Sequence, residues 1–259
     1  MATIWLHRPL RHNAWTGRMH SEYLWIMHQL DLDPGVRAVV VTGTGATFSV
    51  GGDSDALAGH AARGAYDAGL ADELATPGRG ARPEFDHDFA FQFAMRFPII
   101  AAVNGACAGV ALALALFCDL RFGAAGARCT TAAPRLGLPA EYGMSWQLPR
   151  LVGVTRAADL LLSGRVFTPA DTAEWGLWNG VAMTGDGALA MAHAYADQLV
   201  RGTGPVAVAT TKRQIYDDLL SHDVGASIVT AQRLLAEATG TAEYREGVAA
   251  LRERRPPSF

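Results

Sequence analysis

Charge is scarce in this sequence. Of 259 residues only 18% are Asp, Glu, Lys or Arg, and the formal net charge is −3 with a pI near 6.2. No whole-protein field of either sign draws in nucleic acid or an acidic membrane, so a phosphate-bearing ligand needs a local basic spot. Cysteine is sparse too. Cys107, Cys118 and Cys129 stand eleven residues apart with no C-x-x-C pair and no histidine at ligand spacing. They read as reduced, buried thiols of a reducing compartment, and no metal site is expected. Long apolar runs are missing: the longest, Val110 to Cys118, is too short to span a bilayer, and the opening MATIWLHRPL has no signal core. The expectation is a cytoplasmic protein with no membrane and no nucleic-acid partner. Neither G-x-x-x-x-G-K-[ST] nor G-x-G-x-x-G occurs at the glycine turns, which leaves nucleotide binding of those kinds unsupported.

What is abundant is apolar residues, half of the chain, and 28 glycines. That composition allows a large core in one domain, or one domain with an appendage, and many tight turns. Ile4–Leu6 reads as a strand. Residues 16–30 carry Met19, Tyr23, Ile26, Met27 and Leu30 at helical spacing, and Asp33-Pro34-Gly35 makes a turn. The run from Val36 to Val41 does not alternate, which suits a strand covered on both faces. Residues 51–88, rich in Gly, Ala, Asp and Arg, read as a long mobile loop with short helical pieces. A second buried strand follows at Ile99–Val103, then a helix from Gly109 to Phe117 and a strand over Leu120–Gly123. Residues 148–162 and 169–176 read as helices, the second opened by Thr168-Pro169. After Ala188 only helical spacing is found, in 188–200, 206–220 and 224–239. Strands first and helices last give an α/β core with a helical C-terminal layer.

Two segments share one design: VVVTGTGATFSVGGDSDAL and IIAAVNGACAGVALALAL each run from a buried strand through a glycine turn into a helix. Helix N-termini present unpaired N–H groups and the positive end of a dipole. Two such ends brought together form an oxyanion hole; the alternative is that the glycines only turn the chain.

The residues themselves resemble a family. VRAVVVTGTGATFSVGGD is similar to the first signature of the crotonase (enoyl-CoA hydratase/isomerase) family, and FPIIAAVNGACAGVALALALFCDLRFGA to the second. LPRLVGVTRAADLLLSGRVFTPADTAEWGLWNGV and the tail EGVAALRERRPPSF also resemble family segments, so nearly the whole chain is covered. The resemblance implies an α/β fold: a spiral of strand–strand–helix units over residues 1–195, carrying an acyl-CoA site, and a helical oligomerisation region over 196–259. It also implies a homotrimer or a dimer of trimers. Coenzyme A would enter as part of the substrate, with no separate cofactor. Gly52 and Val110 fall on the two oxyanion N–H positions; valine at the second keeps the backbone donor and narrows the space.

The acid–base positions depart from the hydratase pattern. The two family glutamates fall at Ala113 and near Arg135, neither of them a carboxylate. Glu141 matches instead the glutamate of the Δ3,Δ2-enoyl-CoA isomerases and the nucleophilic aspartate of the 4-chlorobenzoyl-CoA dehalogenases. One carboxylate suffices to move a proton from C2 to C4 of an enoyl thioester, or to attack a carbon; a turn glutamate in solvent is the bland alternative. Asp119 is expected to anchor the core. Asp86, His87 and Asp88 form a polar cluster at the loop edge, either solvated or within reach of the acyl pocket. Tyr142 and Trp146 either line that pocket or fill the core. The resemblance places Arg11 and His12 at the ribose and phosphate of coenzyme A, and Asp53 and Ser54 at the adenine edge. Asp55 stands where a basic residue is usual, so Arg8 or a cation of a neighbouring subunit would compensate. The opening strand that usually precedes Ile4 in the family is missing. Hydration, hydrolysis and dehalogenation are alternative reactions, and a CoA-ester-binding member without chemistry is the non-enzymatic alternative. A Clp-type serine peptidase would need a serine and a histidine base at the second turn, and Val110–Ala113 offers neither.

Overall fold

A computed structural model describes residues 1–63, 77–78 and 80–259. Five parallel strands make the larger sheet: β1 (Ala2–Leu6), β2 (Val39–Gly43), β4 (Ile99–Val103), β6 (Leu120–Ala124) and β8 (Gly180–Ala182), in that spatial order. A smaller parallel sheet holds β3 (Thr47–Ser49), β5 (Ala106–Ala108) and β7 (Cys129–Thr130). Each of β2, β4 and β6 therefore hands the chain to a short strand of the second sheet and then to helices. After β3 comes α2 (Ser54–Arg63), after β5 comes α3 (Val110–Phe117), and after β7 come α4 (Met144–Val152) and α5 (Val154–Ser163). Repeating this step along the chain produces the spiral. β2 and β4 are buried along their whole length, which is why their sequences do not alternate.

The turns that join the two sheets stack on one another. A Cβ at Gly105 would stand 2.0 Å from the Ala46 carbonyl oxygen, so the second turn fits over the first only without a side chain. Asn104 locks the pair: its Oδ1 accepts from the Gly43 N–H at 3.1 Å, and its Nδ2 donates to the Gly43 and Gly45 carbonyls at 3.0 and 2.8 Å. Asn13 closes the same turn from the other side, donating to the Thr44 and Thr47 carbonyls.

Helix α1 (Gly17–Leu32) starts at Thr16, whose hydroxyl accepts from the Met19 N–H, and buries His20, Tyr23, Leu24 and Met27. The C-terminal layer comprises α6 (Gly185–Gly202), α7 (Pro205–Leu219), α8 (Val224–Thr239) and α9 (Ala242–Glu253). Ala188, Ala192 and Ala196 of α6 are fully buried, and α6 packs on β2, β4 and β6; residue 195 lies inside this helix. Asp119 anchors α7. Its carboxylate accepts from Lys212, the single lysine of the chain, at 2.7 Å, from the Tyr216 hydroxyl at 2.7 Å and from the Ile99 N–H at 2.6 Å. All three cysteines are buried free thiols, and burial pushes Cys118 up to about 12. Among the described residues no helix is long and apolar enough to cross a membrane.

Several expectations are corrected. The helix expected over 148–162 is two helices, because Gly153, at φ +79°, ends α4 and opens α5. Residues 169–176 form turns and a short 3-10 helix, Ala173–Trp175: Thr168 and Asp171 cap one another as at a helix start, but Gly176, at φ +80°, stops it. Within 51–88, expected as a loop with short helical pieces, Ser54–Arg63 is helical and Pro83–Phe85 is a 3-10 turn, as that expectation allows; the part over 64–76 and 79 lies outside the described residues.

Candidate active site

The first donor comes from a single residue pairing. After β3 the chain meets Trp15 in parallel: the Trp15 N–H donates to the Gly51 carbonyl at 2.7 Å, and the Asp53 N–H donates to the Trp15 carbonyl at 2.9 Å. In parallel pairing a residue bonds the neighbours of its opposite number, so the N–H of Gly52 itself points away from Trp15. Gly51, at φ +91°, would bring a Cβ to 2.8 Å from the Ala108 carbonyl, and only glycine fits there. The second donor is the first residue of α3. Gly109 caps that helix at φ +51°, and the Val110 N–H, in the first turn, has no intrahelical acceptor. Every residue of α3 is buried, so this positive helix end sits where water screens it little.

Both donors open into one cavity of about 320 Å³, which Glu141, Tyr142, His20 and Asp88 also line. Glu141 precedes α4 on a strained turn: Tyr142 and Gly143 are both left-handed, at φ +49° and +72°. A non-glycine residue in that region costs on the order of 1 kcal/mol or more, and such strain gathers at functional sites. The Glu141 carboxylate is half-buried and has no hydrogen bond or ion pair among the described residues; burial pushes its pKa up from the ordinary 4.5. A carboxylate kept from water and from cations is a stronger base than one in solvent. Ala113 is buried inside α3 and Arg135 faces solvent, so neither position supplies a second carboxylate.

Trp15, His20 and Tyr142 line the cavity and are backed by further aromatic rings. Phe89 packs against Trp15, Tyr23, His20 and Tyr142 with centroids 5.3 to 6.3 Å away. His20 is 4% exposed, and its Nε2 stands 3.9 Å from the Asp88 carboxylate. Of the polar cluster at 86–88, only Asp88 lines the cavity, while Asp86 accepts from the Gly80 N–H. Trp146 lies outside the cavity lining, with Arg150 over its ring. Sequence reasoning passed over His20. The signal was available: it stands three and four residues before Tyr23 and Leu24, on the face of α1 that turns inward.

The residues expected to meet coenzyme A gather at the mouth unevenly. Asp53 is buried and lines the cavity beside Gly52. Burial pushes its pKa up, but hydrogen bonds from Arg8, the Asp55 N–H and Arg11 outweigh that and hold it below the ordinary 3.8. Its carboxylate is thus occupied by the protein's own cations. Arg11 is half-exposed and also meets Asp55 at 2.7 Å. His12 (φ +49°) and Ser54, the first residue of α2, face solvent. Among the described residues no three His, Cys, Asp or Glu side chains are grouped to hold a metal ion.

Comparison with known proteins gives this arrangement a context. The chain is 33% identical to a probable enoyl-CoA hydratase of Rhodobacter capsulatus, over all of this chain and 94% of that one. It is 31% identical to the 1,2-epoxyphenylacetyl-CoA isomerase of Escherichia coli, over 99% and 94%. The crystal structure of a probable enoyl-CoA hydratase/isomerase from Mycobacterium abscessus superposes with a TM-score of 0.85 at 29% identity, covering 99% of this chain and 94% of that one. The strand–strand–helix spiral is therefore the crotonase fold. The enoyl-CoA hydratase/isomerase family model matches residues 1–259, and with the two glycine turns facing one cavity the chain belongs to that family.

Proposed function

We propose that the protein moves a double bond along the acyl chain of an enoyl-CoA thioester, with Glu141 as the single proton carrier. The observation that carries this reading is the company Glu141 keeps: a half-buried carboxylate with a raised pKa, in the same cavity as the Gly52 and Val110 N–H groups. The two N–H groups would donate to the thioester carbonyl oxygen. As Glu141 takes a proton from C2, negative charge moves onto that oxygen, and each preorganised donor lowers the barrier by roughly 3 kcal/mol as judged by removal. Glu141 then returns the proton at C4, so the double bond shifts and no water is consumed.

Coenzyme A is, on this reading, part of the substrate rather than a cofactor, with Arg11, His12, Asp53 and Ser54 at its entrance. The chain would work in the cytoplasm, where its three free thiols remain reduced, and assemble through residues 196–259 as a homotrimer or a dimer of trimers.

A spectroscopic assay of 2-enoyl- and 3-enoyl-CoA esters, run beside Glu141→Gln, tests the reading. Conversion of 3-enoyl to 2-enoyl esters should fall about 10²- to 10⁴-fold in the variant. Turnover of every accepted ester at the wild-type rate by Glu141→Gln sinks it. Hydration of 2-enoyl esters would assign the lyase reaction instead, with Asp88, which lines the cavity, supplying the second group. Appearance of labelled water oxygen in the Glu141 carboxylate after one turnover would make it a nucleophile, as hydrolysis or dehalogenation requires. Binding without any turnover would leave a CoA-ester-binding member.

A further inference from the structure

Asp53, Asp55, Asp88 and Glu141 all line the active-site cavity, and among the described residues neither a lysine nor an arginine does. A thioester of coenzyme A brings phosphates to the mouth of such a cavity and needs a cation there. Two arginines bond to the carboxylates at the mouth, and both are taken. Arg8 Nη1 donates to Asp53 at 2.9 Å, and Arg11 Nη2 donates to Asp53 at 3.1 Å and to Asp55 at 2.7 Å. Two positive charges meet two negative ones, so this cluster offers an incoming anion no net positive charge.

The two carboxylates are not held alike. Asp53 has a side chain 5% exposed and accepts from Arg8, Arg11 and the Asp55 N–H, so moving it would strip three bonds. The Asp55 side chain is 83% exposed, and its one partner among the described residues is Arg11. An exposed ion pair of that kind contributes little to stability and is easily exchanged for another. Its release needs no movement of the backbone: Asp55 stands in the first turn of α2, and its side chain can turn into water while its N–H stays on Asp53. A phosphate carries more charge than a carboxylate and presents several oxygens to a guanidinium, so it wins that exchange. Resting on the acyl-CoA reading above, we infer that Asp55 is a placeholder: it holds Arg11 while the site is empty and yields that arginine to a phosphate of the incoming thioester. Asp55 thereby sets how tightly the anionic carrier is gripped, separately from the proton transfer at Glu141. A thioester whose carrier has no phosphate leaves the Arg11–Asp55 pair in place.

Butyryl-CoA and S-butyryl-pantetheine share the thioester but not the phosphates, and neither has a double bond to move, so calorimetric binding alone tests this. Asp55→Asn and Asp55→Ala should bind butyryl-CoA about three- to tenfold tighter than wild type at about 10 mM salt, where charges act over about 30 Å. The gain should shrink at about 1 M salt, where that length is about 3 Å. S-Butyryl-pantetheine should bind both variants as it binds wild type; where it binds too weakly to follow, the salt series decides. In an Arg11→Gln background the Asp55 substitutions should gain less than they gain alone. Asp55 is exposed, so both variants should fold, and thermal melts confirm it. Equal binding of butyryl-CoA by wild type and both variants, a gain that ignores salt, or equal tightening of the pantetheine ester overturns this inference while the acyl-CoA reading stands. A gain that persists in full without Arg11 would mean plain repulsion and likewise overturns it. If neither butyryl-CoA nor a longer acyl-CoA binds the wild-type protein, both readings fall together.

Discussion

Glu141 is under two opposed demands. Burial strengthens it as a base and at the same time makes its ionised form costly to fold. Its pKa in the folded protein lies above the ordinary 4.5, so between those two values the folded state holds more proton than the unfolded state. Stability from this group is therefore present at low pH and lost as pH rises through the folded pKa. Glu141→Gln, which has nothing to ionise, should melt higher than wild type at pH 8 and close to it at pH 4.5. Denaturant melts of the two proteins at both pH values check this, and a difference that does not grow with pH would remove the buried-base account. The acidic limb of wild-type kcat/KM should likewise lie above the usual carboxylate range. At this scale the motifs pointed to Gly52, Val110 and Glu141, and the fold gathers these three around one cavity. The meeting of His20 with Asp88 was not legible in the sequence, because two residues far apart in the chain become neighbours only through the packing of α1 against the segment before β4.

Between residues and the whole lie the turns that set the two N–H donors facing each other. Gly105 is the close approach in that arrangement: a methyl group there would meet the Ala46 oxygen at 2.0 Å and the Thr47 Cα at 3.0 Å, both backbone. Gly105→Ala should therefore abolish folded protein or shift the melt by many degrees. Gly126→Ala, where a Cβ meets nothing within 4 Å, should change stability by no more than about 0.5 kcal/mol. Equal melts for the two variants would show that the turns do not need their contact. The same scale explains what could be read of the fold. Helix α8 stands where its long run at helical spacing put it, and β4 where a short unbroken apolar run lies between Pro98 and Asn104. The break between α4 and α5 escaped because glycine inside an apolar helical pattern looks tolerable until its left-handed backbone is seen. Strand β8 escaped because three residues carry no period, and only the open edge of β6 makes them a strand.

For the whole molecule the open question is what covers α8. This helix buries none of its residues in the single chain, yet Val224, Ile228, Ala231 and Leu235 recur at four-, three- and four-residue spacing along one stripe. Val224 is 76% exposed, Ile228 53% and Leu235 63%, and Leu251 of α9 adds 79%. A cavity of about 570 Å³ between α7 and α8 opens on another face of the helix, where Ala226, Thr230 and Leu234 line it. Covering each large side chain stabilises by about 1.5–3 kcal/mol, and a stripe of that kind is not expected to stay wet. The proposed homotrimer, built through the C-terminal helices, would cover it with copies of the same surface. Light scattering at micromolar concentration should then give three or six times the 27.5 kDa chain mass. Leu235→Glu should release monomers whose far-ultraviolet circular dichroism is unchanged, because that side chain is exposed in the single chain and its loss opens no cavity. A wild-type protein that scatters as a monomer would refute self-association through α8, and a variant that stays trimeric would move the contact to another face.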